Sequence, residues 1–245
     1  MEKSNVSKRA LILYILLIIV VGFLITFSYF SKSGKLFTSN PCNITYQPSI
    51  KSYTSYPRFC IDKNKTYTAD IQTSYGNIKV ALYPKAAPLA VNNFVFLSQS
   101  GFYNNVIFTR VIKGFMDQTG SPTGQGNGGP GYKFNDQINP ISLGIPQLLI
   151  NAYKKQGYTY DYAVQSIPIN AGTLAMANSG PNTNGSQFFI TVAKEGRLNG
   201  LYTAFGQVIK GMSVIKEIND IPVNKSAHHK PLSNIYINKI TISSN

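Results

Sequence analysis

From Tyr67 onward, short runs in which apolar and polar residues alternate constrain the fold more than any other feature of this chain. Ala69 and Ile71, then Ile78, Val80 and Leu82, alternate with polar neighbours around Ser74-Tyr75-Gly76-Asn77, the pattern of a β-hairpin. Val106-Ile107-Phe108 with Val111-Ile112 read as a further strand leading into a glycine-rich loop at 120–131. Strand-like runs return at 172–176, 187–193 and 203–209, and Ile235, Ile237 and Ile240 suit a last strand. Sixteen Tyr and fourteen Phe with no Trp agree, because aromatic side chains fit a pleated surface. Many short strands and few helices predict a mainly β domain, a closed or nearly closed barrel that removes exposed edges.

Helices punctuate this pattern sparingly. Pro88 suits a first helical position, Val91, Phe94 and Val95 fall on one face, and Gly101 stops the segment. Residues 146–156, from Pro146 to the stop at Gly157, read as a second short helix, and Met212, Ile215 and Ile218 mark a third.

The N-terminal region has a different texture. Residues 10–30 carry no charge and, at about 1.5 Å per residue, span roughly 30 Å of hydrocarbon. Lys3, Lys8 and Arg9 precede the run, which places residues 1–9 in the cytoplasm and makes 10–31 a single-pass signal anchor. A cleaved signal peptide is the rival reading; the run is longer than a usual h-region and no A-x-A-like site follows. Residues 32–65, rich in Ser, Lys, Asn, Tyr and Pro, read as a tether, with the folded domain at 66–245 beyond the membrane. Cys42 and Cys60 both fall in the tether: a disulfide if that side is oxidising, two free thiols if it is not.

The net charge of +14 is spread singly or in pairs, such as Lys63/Lys65 and Lys154/Lys155, without the dense basic run of a nucleic-acid patch. A basic solvated surface, or attraction to an anionic membrane or cell-wall polymer, accounts for it; no nucleic-acid partner is expected. Gly124 to Gly129 match G-x-G-x-x-G, yet Pro130-Gly131 follow where a dinucleotide site needs a helix. The segment reads as a mobile surface loop. His228 and His229 are adjacent and point apart on an extended loop, so no metal site is expected there. No Ser-His-Asp or Cys-His set assembles, which leaves a hydrolase nothing to build on.

Two segments carry the chemistry. Residues 174–190 are apolar at both ends and turn-forming in the middle, with no acid, base or thiol. They look like the wall of a groove that holds another backbone, with Asn178 and Gln187 as hydrogen-bonding groups and Phe188/Phe189 as apolar surface. In residues 107–118, a strand would set Phe108, Arg110 and Ile112 on one face, leaving a guanidinium on an apolar surface. A lone strand arginine ordinarily snorkels or pairs with an acid.

Phe108-x-Arg110-Val111-Ile112-x-Gly114-Phe115-Met116-x-Gln118 and Met176-Ala177-Asn178-x-Gly180-Pro181-Asn182-Thr183-Asn184-Gly185-Ser186-Gln187-Phe188-Phe189 together resemble the two signature stretches of the cyclophilin family of peptidyl-prolyl isomerases. The resemblance covers about residues 67–243 and is to a membrane-anchored, bacterial-like member. It implies an eight-stranded antiparallel barrel with two capping helices, here with an extra short helix, and cis-trans isomerisation of X-Pro bonds; with the apolar anchor at 10–31, the expected substrates are extracytoplasmic polypeptides. It implies that Arg110 is the catalytic cation, that Phe115, Met116, Phe189, Leu198 and Tyr202 line the proline pocket, and that Gln118 with the backbone of Ala177 and Asn178 binds the substrate chain. No metal or cofactor is implied, and the catalytic domain is expected to be monomeric. Thr109 stands where many members have His, Arg197 where well-known members have Trp, and Tyr202 where they have a pocket His. Those departures bear on ligand preference and cyclosporin-type inhibition. The alternative on the same fold is a non-catalytic module that binds proline peptides.

Overall fold

In the computed structural model of the chain, residues 51–245 are described. The expected cytoplasmic segment 1–9, the anchor at 10–31 and Cys42 lie outside the described residues. Among the described residues no helix is long and apolar enough to cross a membrane.

The hairpin forms as the alternation dictates. β1 (Tyr67–Thr73) and β2 (Gly76–Leu82) pair antiparallel with Ile71 opposite Ile78 and Ala69 opposite Val80, all four buried. The chain continues through α1 (Pro88–Gln99), β3 (Val106–Ile107), β4 (Arg110–Ile112), β5 (Met116–Thr119), α2 (Gln147–Lys155), β6 (Thr173–Met176) and β7 (Phe188–Thr191). β8 (Ala204–Lys210), α3 (Met212–Asn219), β9 (Val223–Asn224), β10 (Lys230–Pro231) and β11 (Tyr236–Ser244) complete it. All neighbours in the main sheet are antiparallel, in the order β3-β11-β1-β2-β8-β6-β7-β5-β4, and β9 pairs with β10 apart from it.

The sheet is thus a curled half-barrel of nine strands with two ends, where the resemblance implies eight strands closed on themselves. The difference arises in one stretch. The run 106–112 breaks at Phe108-Thr109: the Phe108 N–H donates to Ile235 O beside β11 (2.9 Å), whereas the Thr109 N–H donates to Gln118 O on β5 (2.9 Å). Its two halves therefore sit at opposite ends of the strand order. The same break corrects the expected face sharing. Phe108 turns into the core at 1 % exposure, while Arg110 stays exposed and Ile112 half-buried on the outer face.

Aromatic contacts fill the interior: Phe94 of α1 meets Phe188 edge-on at 5.4 Å and Phe205 at a tilt at 5.3 Å, and Tyr103 meets Phe188 edge-on at 5.6 Å. α1 packs against β11 and α3 against β2, β4 and β5, so the two helices cover different parts of the sheet. α1 begins at Pro88 as its sequence predicts, and its first free N–H groups (Leu89, 2.5 Å, and Ala90, 3.3 Å) donate to Gln137 Oε1. α2 is the extra helix and buries only Ile150.

The described part of the expected tether does not extend away. Pro57, Cys60 and Ile61 are buried against the domain, and Cys60 N–H donates to Asn92 Oδ1 at 2.7 Å.

Candidate active site

Register sorts the side chains of four strands into two populations. Arg110 pairs with Gln118, Gln118 with Phe189 and Phe189 with Ala175, so this row crosses β4, β5, β7 and β6 on one face. Val111, Phe188, Ile190, Leu174 and Met176 point the other way and join the interior cluster. Met116, Ala175, Phe189 and Ala204 form a second buried cluster, with Ile112, Phe115, Ala177, Leu198 and Tyr202 packed on it. A sheet covered on its inner side alone would show polar residues on this outer face. Here the outer face is greasy, with a guanidinium at one end.

Over it lies a groove of about 1030 Å³. Arg110, Phe115, Met116, Gln118, Ala177, Asn178, Phe189, Leu198 and Tyr202 all line it, so every candidate groove residue from the sequence falls in one place. Arg110 is exposed to the groove and, among the described residues, its guanidinium makes no ion pair or hydrogen bond. The ordinary fate of a lone strand arginine, pairing with an acid, is not its fate here. Tyr202 meets Phe189 edge-on at 5.4 Å. Asn178 braces the neighbouring segment, its Nδ2 donating to Leu201 O (3.0 Å) and its Oδ1 accepting from the Gly180 N–H (3.2 Å). The Ala177 N–H is committed to Gln187 O (2.9 Å) and is not offered to a bound chain.

The glycine-rich loop is a wall of this groove, not the free surface loop its composition suggests. Gly126 to Gly129 and Gly131 line it, joined by Tyr132 and Lys133 on one side and Ser179, Thr183, Gly185, Ser186 and Gln187 on the other. Asn127 O accepts from Ser121 Oγ (2.6 Å) and Thr123 Oγ1 (3.1 Å), which folds the loop on itself. Gln118 Nε2 donates to Gln187 Oε1 (3.0 Å), and Gln187 Nε2 to Gly128 O (3.0 Å), a relay from floor to wall. The start of the loop demands glycine: Gly120 has φ of +90°, and a Cβ there would lie 2.4 Å from Ser186 O. The 179–187 side belongs to the stretch expected to form a groove wall, whereas the 126–133 side escaped notice because glycine density signals a turn without saying what the turn faces.

Arg197, in the 3-10 turn Gly196–Leu198, lies over the Phe115 ring at 4.7 Å and donates from Nε to Glu195 Oε2 at 2.8 Å. A flat cation thus covers the outer side of a groove residue. Beneath the floor, Asn219 of α3 brackets the β4–β5 turn. Its Oδ1 accepts from the Gly114 N–H (2.7 Å), and its Nδ2 donates to Ile112 O (3.0 Å) and Asp117 Oδ1 (2.7 Å). Burial pushes the Asp117 carboxyl up from 3.8 to about 7, the Asn219 bond pulling weakly the other way. Asp136, also pushed up by burial, accepts from the Asn182 N–H (2.7 Å) and Asn184 Nδ2 (2.8 Å) and so pins the 178–187 segment.

The geometry therefore offers an apolar slot, hydrogen-bonding groups along it, and at its floor an arginine that no acid among the described residues engages. The family described as cyclophilin type peptidyl-prolyl cis-trans isomerase/CLD matches residues 68–242. The chain belongs to this family. This cyclophilin is 39 % identical over 178 residues to the human peptidyl-prolyl cis-trans isomerase-like 3, covering 71 % of this chain and 95 % of that protein. It is 44 % identical over 168 residues to peptidyl-prolyl cis-trans isomerase-like 1 of Aspergillus fumigatus, covering 67 % and 88 %. Among solved structures, it is similar to a Cryptosporidium parvum cyclophilin-type isomerase at a TM-score of 0.60 and 38 % identity, over 74 % of this chain and 99 % of that one. The same parasite protein in the presence of the dipeptide Ala-Pro gives a TM-score of 0.59, over 73 % and 99 %. The cyclophilin described here is accordingly a peptidyl-prolyl cis-trans isomerase that acts on proline-containing polypeptides.

Proposed function

We propose that Arg110 is the catalytic cation of this isomerase and that Phe115, Met116, Phe189, Leu198 and Tyr202 hold the substrate proline ring. Rotation about a peptide bond is opposed by about 18–20 kcal/mol because conjugation gives the C–N bond double-bond character. In the twisted state the proline nitrogen regains a lone pair. A donor beside that nitrogen bonds the lone pair only once twisting has begun, so it favours the transition state over either ground state. A guanidinium keeps its charge throughout the physiological range. The apolar slot fixes the ring while the preceding carbonyl swings, and Gln118 orients the substrate chain. The observation that carries this reading is the row Arg110–Gln118–Phe189, which puts an unpaired cation on the same face as the greasy floor.

Arg110→Ala is expected to lower kcat/KM for an X-Pro peptide, read as NMR exchange between its cis and trans signals, by on the order of 10²–10³. Equal rates for the two proteins refute the assignment.

In this reading the apolar run at 10–31 anchors the enzyme, residues 1–9 are cytoplasmic, and the catalytic domain faces outward to assist folding of extracytoplasmic proteins. The length of the run and the basic residues before it support it, and on an oxidising side Cys42 and Cys60 would be able to pair as a disulfide. External protease on intact cells should then cut the domain; complete protection places it on the other side.

A further inference from the structure

We propose that residues 51–61, which lie outside the matched family region, are a built-in brace of the substrate groove, with Tyr53 as its positioning residue. This rests on the reading of the groove as the substrate site. The matched region begins at residue 68, yet the segment before it is bound to the same helix that holds the groove rim.

Two adjacent asparagines of α1, Asn92 and Asn93, are both fully buried. Asn92 serves the brace: its Nδ2 donates to Arg58 O (3.2 Å) and Tyr56 Oη (3.3 Å), and its Oδ1 accepts from the Cys60 N–H (2.7 Å). Asn93 serves the groove: its Oδ1 accepts from Tyr132 Oη (2.7 Å) and its Nδ2 donates to Gly185 O (2.8 Å), and both partners line the groove. Buried amides are held to their hydrogen bonds, so a shift in one is felt by its neighbour.

A second link is direct. The Tyr53 N–H donates to Pro130 O at 2.7 Å, between the groove residues Gly129 and Gly131. A Cβ on Gly131 (φ +91°) would lie 2.2 Å from Tyr53 O and 2.6 Å from Ser52 Oγ, so brace and loop touch backbone to backbone. Tyr53 is itself fixed by its ring on Phe96 (5.0 Å) and its hydroxyl on Ser100 Oγ (2.9 Å). Tyr56 packs on Tyr132 (5.7 Å) and donates to Leu89 O (2.7 Å). The brace thus holds the glycine wall from behind, where glycines alone offer little stiffness.

Tyr53→Ala in the full chain tests this. Its KM for an X-Pro peptide should rise about fivefold to tenfold with kcat held within about twofold, and amide hydrogen exchange at 126–133 should quicken about tenfold while β6 and β7 keep their protection. Unchanged KM and unchanged exchange at 126–133 overturn the proposal, as does faster exchange spread evenly over the domain. Should that variant fail to fold, Tyr53→Phe removes only the bond to Ser100; exchange at 126–133 should then rise about threefold, and no change overturns the brace. The exchange arm is independent of turnover, so an error in the role of Arg110 and an error about the brace give different results.

Discussion

Replacing Asp117 by asparagine isolates an electrostatic cost that the fold carries at neutral pH. The carboxyl is fully buried, Oδ1 accepts from Asn219, and Oδ2 is buried with no hydrogen-bond partner. Burial pushes it from 3.8 to about 7, so the native protein keeps a proton there over a range in which the unfolded chain has released it. Between about pH 4 and pH 7 the native state binds more protons than the unfolded state, and stability therefore falls as pH rises through that window. Each pH unit is worth about 1.4 kcal/mol, so the loss accumulates to roughly 4 kcal/mol and then levels off. In Asp117→Asn the amide oxygen can still accept from Asn219 and nothing titrates. An unsatisfied N–H at the former Oδ2 position costs about 1–3 kcal/mol at every pH alike. The informative quantity is the difference in unfolding free energy between the two proteins, read from urea titrations at intervals from pH 4 to pH 8. It should move in favour of the variant by roughly 4 kcal/mol across the range. Two curves that stay parallel refute the buried, proton-holding carboxyl.

Further outcomes follow from the charges around the groove. Arg197→Trp exchanges a cation over Phe115 for a larger apolar surface; affinity for a cyclosporin-type macrocycle, measured by calorimetry, should increase about tenfold or more, in keeping with roughly 1–2 kcal/mol for a new buried aromatic contact. Among the described residues Arg110 and Lys133 line the groove and no carboxylate does, so X-Pro peptides flanked by Glu should show kcat/KM about threefold to tenfold above Lys-flanked ones at low salt. That preference should collapse in 0.5 M salt and largely disappear in Lys133→Glu, where the new carboxylate offsets Arg110. Equal values for the two peptides at low salt contradict it, whereas no acceleration of either contradicts the enzyme itself.

Much of this architecture was legible in the residues. The hairpin at 67–82, the helix opening at Pro88 and the helix spaced on Ile215 and Ile218 rest on local periodicity and on proline and glycine, signals that need no distant partner. All nine candidate groove residues meet in one groove: alternation along β4, β5 and β7 sends Arg110, Met116, Gln118 and Phe189 to one face, and the turns at Phe115, Ala177-Asn178, Leu198 and Tyr202 close around them. The break at Phe108-Thr109 was not legible. An unbroken strand keeps Phe108 beside Arg110, and only the competing bonds to Ile235 and Gln118 separate them. The packed segment 51–61 was hidden for the same reason, since its partners lie more than thirty residues away in α1.

Sequence alone settled which residues are apolar and where the chain turns, because those properties belong to each residue and its near neighbours; the proline-pocket residues were named only through the family's signature stretches. Tertiary structure decided that the glycine-rich loop is a wall, that Asp117 is sealed beneath the floor, and that Arg110 meets no acid among the described residues. Each of those depends on burial and on which distant group arrives, and both are set by the curling of the sheet as a whole.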